Sequence, residues 1–282
     1  MLFPENIGKY LSIDEVDLSN GELYTVITNK EAKGRKGALV AMFRGTKASD
    51  IAPILHKISL KIRNVVEEVT LDMSDSMDAI IRRAFPRVIK VTDRFHVQQL
   101  VSEAVQEIRI DARRKIIKEE NEHIKWHRKN KIRYRPFTYK NGDTIKQLLA
   151  RSRHLLFKPE SKWSDLQRER SIILFREFPE LKKAYELSMM FRNCYECNKT
   201  IPDAKASFEK WYKKVEEKNI DSFLTAKESI RLRETTILNY FINRSTNASA
   251  ESFNAKLKEF RMLVRGVRDK KFHLFRIAKL YG

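Results

Sequence analysis

The order of short apolar segments in the first third of the chain limits the fold more than any other feature. Two such segments, residues 9–18 and 23–29, flank the dipeptide Asn20-Gly21. Because Asn-Gly tolerates the positive φ that a tight hairpin turn requires, the two segments are predicted to pair as antiparallel strands. A third apolar run, residues 38–43, follows a basic loop and extends the pair to a three-stranded meander.

Helical and strand patterns alternate after this meander. Residues 47–65 carry apolar side chains at three- and four-residue spacing, which predicts one helix. A short β-type run then ends at Asp72, a second helix is expected to stop at Pro86, and residues 88–93 predict a fifth strand. The order βββαβαβ predicts an α/β fold with a mixed five-stranded sheet flanked by helices. In a sheet of the RNase H type, strands one and four are neighbours.

The middle of the chain has a different pattern, with no convincing strand and many apolar stripes at helical spacing. This pattern predicts a large all-helical insertion over residues 101–244. The sheet domain then consists of two separate parts, residues 1–100 and residues 245–282.

A final helix is predicted to start near Ser249, after a small polar run. The apolar stripe of this helix, which must face the core, is Phe253, Leu257, Phe260 and Val264. The neighbouring stripe is Glu251, Asn254, Lys258, Arg261 and Arg265. One carboxylate therefore leads a row of polar and basic residues along a single face, which is exposed or lines a cleft.

The charge of the chain favours a polyanionic partner. The sequence has 57 Lys and Arg against 37 Asp and Glu, a formal net charge of +20. Cations that neutralise phosphates release condensed counterions, so nucleic acid is the favoured partner, with a merely soluble or ribosome-associated basic protein as the alternative. The sequence has only two cysteines, and it has neither a long apolar span nor a secretory signal. We therefore expect a cytoplasmic protein without disulfides.

Two aspartates at predicted strand ends suggest a metal site. Asp14 lies in the first strand and Asp72 ends the fourth, each directly after an apolar strand residue. An acidic residue at a strand end is more often a cap or turn former, but adjacent strands would bring this pair to one cleft. Convergent carboxylates bind hard divalent ions, and two such ions can serve phosphodiester cleavage and strand transfer.

Other chemical patterns are weaker. Cys194 with Cys197, and His123 with His127, have spacings found in zinc sites but lack the further ligands, so both pairs are predicted to be structural. Residues 111–135 are rich in both signs of charge and end in a basic run. This segment is either a solvated helix face or an arm that follows phosphates.

Two long segments resemble bacterial insertion-sequence transposases of the ISL-type branch. AFPRVIKVTDRFHVQQLVSEAVQEIR is similar to a family segment in which a Pro-containing turn precedes a strand ending in D-R-F-H and a long helix. The run from Ser245 to the C-terminus resembles the family's Glu-bearing helix, with E-x-x-N, then Lys, then a basic R-G-x-R-D turn. The resemblance extends from LSIDEVD to FHLFRI, nearly the whole chain.

The resemblance implies an RNase H-like catalytic domain interrupted by a helical insertion. It implies a catalytic and metal-binding triad of Asp14, Asp72 and Glu251, with two Mg²⁺ or Mn²⁺ ions per site, for DNA cleavage and strand transfer. Asp93 is the alternative second acid, because with His96 it matches a D-x-x-H pattern of several transposases. The strand order favours Asp72. His96 would then contact DNA, orient a ligand or simply pack at a helix start.

The resemblance also implies partners. Side chains expected to contact DNA are Arg94, His96, Asn254, Lys256, Lys258, Arg261, Arg265 and Arg268. The expected partners are double-stranded DNA of the element ends and target, and a second copy of the chain in synapsis, in a nucleoid-associated bacterial protein. Family members usually carry a DNA-binding region before the first strand, which here begins within ten residues of Met1. Three alternatives stay open for that module: it resides on a separate polypeptide, it was removed, or it was lost by degeneration.

Two other functions remain open at the level of sequence. One is a catalytically inactive DNA-binding remnant or regulator, against which the survival of all three acids weighs. The other is a hydrolytic nuclease on the same fold, which would use water as nucleophile throughout.

Overall fold

The computed structural model describes residues 1–18, 21–263 and 269–282. The chain divides into two compact units. The first, called the sheet unit, comprises Met1–Val97 and Arg233–Gly282. The second, called the helical unit, comprises Gln98–Leu232.

The sheet unit contains all five strands. They are β1 Tyr10–Asp17, β2 Leu23–Asn29, β3 Leu39–Arg44, β4 Glu68–Leu71 and β5 Ile89–Thr92. Its helices are α1 Ala48–Leu55, α2 Leu60–Arg63, α3 Asp75–Ala84, α10 Glu234–Leu238, α11 Tyr240–Asn243, α12 Ala248–Leu263 and α13 Lys270–Tyr281. The helical unit contains most of α4 Arg94–Lys129, then α5 Ile145–Arg151, α6 Asp165–Glu177, α7 Pro179–Glu196, α8 Ile201–Lys218 and α9 Asp221–Leu232.

The strand order of the sheet is β3-β2-β1-β4-β5. β1 pairs antiparallel with β2, and β2 with β3, whereas β1 with β4 and β4 with β5 are parallel. This confirms the predicted α/β class, with a mixed sheet of the RNase H type and an all-helical insertion. At the β1–β2 hairpin, Gly21 has the expected positive φ of 76°. Ser19 and Asn20 of the predicted turn lie outside the described residues.

One predicted helix was wrong in extent. Residues 47–65 form two helices, α1 and α2, because Ser59 adopts an extended conformation with ψ 144° between them. The Ser59 hydroxyl accepts a hydrogen bond from the amide of Ile62, so it caps the second helix. As a result, Ile58 is buried but Ile62 is exposed, although both belonged to the predicted stripe.

The two faces of the sheet are covered by different helices, since successive strand residues point to opposite sides. Leu11 and Ile13 of β1 belong to a buried cluster with α1 and α3. On the opposite face, Val26 packs with Phe253 and Leu257 of α12. Fully burying a side chain of this size stabilises by roughly 1.5–3 kcal/mol, so the two α12 residues anchor that helix against the sheet. Asn254 of the predicted polar stripe then lies against β1.

The helical unit has its own aromatic core. Trp211 of α8 is buried and its ring centroid lies 4.8 Å from that of Phe191 on α7. The Trp211 indole N–H donates to the carbonyl of Leu187 at 2.9 Å, which satisfies its polar atom inside the core. Cys194 is buried and Cys197 exposed. Among the described residues, no helix is long and apolar enough to cross a membrane.

Candidate active site

Asp72 and Asp93 follow the carboxyl ends of the parallel strands β4 and β5, and Asp14 lies in β1 just beyond the residues that pair with β4. Ser12 of β1 is in register with Thr70 of β4, and Leu71 of β4 is in register with Thr92 of β5. Continuing these registers places Asp14 beside Asp72, and Asp72 beside Asp93. In open α/β sheets this edge is where ligands bind.

The side chain of Asp14 accepts more hydrogen bonds than that of Asp72 or Asp93 among the described residues. Its Oδ1 accepts a hydrogen bond from the backbone amide of Glu15, and its Oδ2 accepts one from the side-chain amide of Asn254, both at 2.8 Å. Burial raises the pKa of Asp14, and the negative charges of Asp72 and Glu251 raise it further, against lowering by the Glu15 amide and His96.

Asp72 is only half-buried, in the turn between β4 and α3. Its Oδ1 accepts a hydrogen bond from the amide of Ser74 at 2.8 Å, a local contact that shapes the turn. Glu15, which sequence reasoning missed, also lies near this group. Burial raises the pKa of Glu15, and the charges of Asp72 and Asp14 add to the shift. Its position directly after Asp14 was the only sequence feature that could have indicated it.

Asp93 has a different environment, with 1% of its surface exposed. Its Oδ1 accepts a hydrogen bond from the backbone amide of Asn247 at 3.0 Å, one residue before α12 begins. Its Oδ2 is buried and has no hydrogen-bond partner among the described residues. Asp93, His96 and Glu251 each offer one ligand atom, and these atoms lie within 4.8 Å of one another. The Nε2 of His96 is also buried without a partner in the described part of the chain.

Helix α12 contributes two of the predicted residues directly. Glu251 lies exposed in its first turn, and Asn254, one turn later, is 7% exposed. The Asn254 amide donates to Asp14, and more weakly to the carbonyl of Glu15 at 3.4 Å. Asn254, predicted to contact DNA, therefore lies against the first acid of the candidate triad.

The predicted basic residues are distributed differently. Lys256 donates to the carbonyl of Gly34 at 3.1 Å, so its ammonium group lies at the β2–β3 connection. Lys258 is exposed on α12, while Arg94 and Arg261 are partly buried. Arg265 and Arg268 lie outside the described residues. No contact of these side chains with DNA is tested by the structure, so their DNA-binding role stays a prediction.

A mixed sheet of this order with carboxylates at its parallel edge defines an RNase H-like fold with an insertion. A family model described as Transposase, of the ISL3 type of DDE transposases, matches residues 11–277. The chain belongs to this transposase family. No curated protein and no solved structure matched the chain.

Membership of this family implies DNA as substrate and use of a divalent metal ion. The residues fit such an ion, because the site offers several carboxylate oxygens, the donors that hard divalent cations prefer. Burial is the main cause that raises the pKa of Asp14, and a bound cation would offset both that burial and the smaller repulsion from Asp72 and Glu251. The partnerless Oδ2 of Asp93 and Nε2 of His96 lie beside Glu251, so Asp93 is the alternative to Asp72 as a ligand.

Proposed function

We propose that this transposase cleaves DNA and transfers strands by metal-dependent chemistry at the carboxylate edge of its sheet. The observation that carries the proposal is the hydrogen bond from the Asn254 amide of α12 to Asp14 of β1, which brings the helix that carries Glu251 against the strand that carries the first acid. In this proposal the carboxylates of Asp14, Asp72 and Glu251 hold Mg²⁺ or Mn²⁺, two ions per site.

Bound divalent ions supply Lewis acidity, which stabilises an attacking hydroxyl and a leaving oxygen of a phosphodiester. The protein's own contribution is to hold the carboxylates in place. The amide of Asn254 fixes one oxygen of Asp14 and the Glu15 amide fixes the other. Because Asn254 and Glu251 share one face of α12, the same helix that carries the third acid also orients the first.

Asp93 serves as a positioning residue in this proposal and Asp72 as a metal ligand. Asp93 is nearly inaccessible and is engaged with the amide of Asn247, which holds the start of the helix that carries Glu251. Asp72 is half-buried, and its described hydrogen bond is a local one. His96 then presents its Nε2 beside Glu251.

The DNA partner in this proposal is double-stranded DNA of the element ends and of the target. A net charge of +20 supplies sequence-independent attraction to phosphates. Lys258 is exposed on the helix that carries Glu251, so it is placed to contact phosphates near the site. Joining two ends requires two active sites, and we propose a homodimer in synapsis.

The test is a strand-transfer assay with a labelled, precleaved element end in Mg²⁺ or Mn²⁺. Asp14→Asn and Glu251→Gln are expected to abolish joining while leaving DNA binding intact, because each removes a metal-binding charge without changing the shape of the side chain. The matched control is Glu259→Gln, which changes an exposed carboxylate on the same helix. Joining at the wild-type rate by either triad variant would contradict the proposal.

The same assay separates the two other functions. A hydrolytic nuclease would cut the DNA but would not join the labelled end to a target. A DNA-binding remnant would bind DNA and neither cut nor join it, in either metal.

A further inference from the structure

The end of α4 and the segment after it form the basic arm, defined here as residues 123–142. It contains seven Lys or Arg residues and no Asp or Glu. The seven cations are Lys125, Arg128, Lys129, Lys131, Arg133, Arg135 and Lys140, and all are exposed. The arm belongs entirely to the helical unit.

The charges of the basic arm have no neutralising carboxylate within the described part of the chain. None of the seven cations forms an ion pair with a carboxylate of the described residues, whereas neighbouring Lys146 pairs with Glu120. The backbone turns back at Lys131, whose φ is 57°, and the amide of Ile132 donates to the carbonyl of His127 at 2.9 Å. The cations are therefore concentrated at a reversal of the chain, where like charges repel unless an anion is bound.

Aromatic rings are interleaved with these cations. The side chain of Trp126 is 57% exposed and that of Phe137 is 74% exposed. Edge-to-face contacts support both rings. The ring centroid of Trp126 lies 5.1 Å from that of His127, and the His127 centroid lies 5.3 Å from that of Tyr134. The ring centroid of Phe137 lies 5.1 Å from that of Tyr139. Large rings left in water beside unpaired cations are typical of an interaction surface.

Beside Phe137 is a groove. Its volume is about 290 Å³, and it lies between α4 and the chain segment that follows the reversal. The side chains that line it include Ile116, His123, Tyr134, Phe137 and Tyr139. The exposed ring of Phe137 thus stands at the edge of a concavity that holds further rings, and Glu119 and Glu120 also line it.

We propose that the basic arm binds a DNA strand that has unpaired bases. Its cations would contact the phosphates while Trp126 and Phe137 stack on bases, the combination that single-stranded nucleic acid requires. An intact duplex hides the faces of its bases in the stack, so it could use the cations but not the rings. The inference rests on the proposed function in one respect, that DNA is the substrate.

The test measures DNA binding by the full chain in EDTA, so that catalysis does not contribute. Two labelled DNAs of equal length are compared, a blunt duplex and a duplex with a single-stranded tail. Phe137→Ala is expected to weaken binding of the tailed DNA by roughly 5- to 150-fold, the range of one stacking contact, and to leave the blunt duplex within about twofold. Because Phe137 is so exposed, its truncation leaves the core of the helical unit intact.

A charge variant tests the phosphate contacts. Arg133→Ala with Arg135→Ala is expected to lower the slope of log K against log salt by roughly 0.7 per lost contact on the tail. The matched control is Lys205→Ala with Lys210→Ala, two exposed cations of α8 in the same unit. The control is expected to bind both DNAs like the wild type.

Intrinsic fluorescence gives a measurement that requires no substitution in the arm. Trp163 and Trp211, the other two tryptophans, are buried at 7% and 0%, so Trp126 dominates the emission that responds to a ligand. Tailed DNA is expected to quench this emission, and Trp126→Phe is expected to remove the change.

Three results would overturn the inference. They are unchanged emission at saturating tailed DNA, wild-type affinity in the arm variants, and an equal loss of affinity for both DNAs in Phe137→Ala. If the wild type binds tailed DNA but does not join DNA, the proposed function is refuted, and the inference about the basic arm still holds.

Discussion

Substituting Asp93 distinguishes a positioning residue from a metal ligand. Asp93→Ala removes the acceptor of the Asn247 amide, whereas Asp93→Asn keeps an oxygen at the same position but removes the charge. Asp72→Asn is the matched variant at the neighbouring strand end. If Asp93 acts by holding the start of α12, the Asp93→Asn variant should still be stabilised by Mn²⁺ and should still join DNA. If Asp93 binds the metal, Asp93→Asn should lose both properties, as Asp93→Ala does.

The magnitude follows from burial. Asp93 is 1% exposed and Asn247 is 0% exposed, so water cannot replace the lost hydrogen bond in Asp93→Ala. A buried donor left without a partner, or a lost hydrogen bond to a charged group, costs about 2 kcal/mol in the free energy of unfolding. This corresponds to a fall of roughly 4–8 °C in the melting temperature of the sheet unit. Asp72→Asn is expected to leave stability unchanged or slightly raised, because it relieves repulsion with Asp14.

The assay is thermal unfolding with and without Mn²⁺. A ligand at about 100 times its Kd stabilises the native state by about 2.7 kcal/mol, so the wild type should show a clear rise in melting temperature. Asp72→Asn should lose this rise, and Asp93→Asn should keep it and still join DNA. Because the chain has two units, the transition that responds to Mn²⁺ is the one to follow.

The opposite pattern would refute the reasoning. If Asp93→Asn loses the Mn²⁺ effect while Asp93→Ala melts like the wild type, Asp93 is a ligand and does not hold α12. If Asp72→Asn also keeps the Mn²⁺ effect, the second acid of the triad is Asp93.

Two further predictions concern stability. In the helical unit, burial alone would raise the pKa of Asp143, but its hydrogen bonds with Arg170, at 2.8 Å, and Arg151 outweigh this, so its pKa is lowered. A depressed carboxyl pKa adds stability that is present above the unfolded value of about 3.9 and is lost as pH falls through the folded value. Asp143→Asn should therefore lower the free energy of unfolding by about 3 kcal/mol at pH 7, measured by urea titration. Its free energy of unfolding should also fall less steeply below about pH 4 than that of the wild type. An unchanged dependence on pH in this range would contradict the prediction. In the sheet unit, the Lys30 ammonium donates to buried Glu68 at 3.4 Å and to Thr70. Lys30→Met should therefore lower the free energy of unfolding by about 3–5 kcal/mol, and the double variant Lys30→Met with Glu68→Leu should recover much of this loss in the same urea titration. Additive losses in the double variant would show that the two residues do not interact.

The order of elements was predictable because it depends on local patterns. The apolar runs around Asn20-Gly21 determined a hairpin, and the spacing of Met77, Ile80 and Ile81 determined a helix whose buried face the structure confirms. Helical spacing alone did not reveal the break at Ser59, because a backbone that leaves the helix for a few residues can still bury Ile58.

The candidate site was predictable only in part. Asp14, Asp72 and Glu251 were predicted from the strand pattern and from the family resemblance, and their role as metal ligands stays a prediction. Glu15 and the Asn254 contact with Asp14 were not foreseen, because the latter joins residues 240 positions apart in the chain. Lys256 likewise faces Gly34, a partner that no spacing within α12 could indicate.

By itself, the sequence determined the strand and helix pattern, the basic charge and the set of carboxylates available for a metal site. Only the tertiary structure decided how those carboxylates differ. Asp72 and Asp93 both end short strands, yet the packing of α12 leaves the first half-buried and encloses the second against the Asn247 amide. The reason is physical: whether a carboxylate meets water, an amide or another charge depends on elements that are distant in the chain and adjacent only once folded.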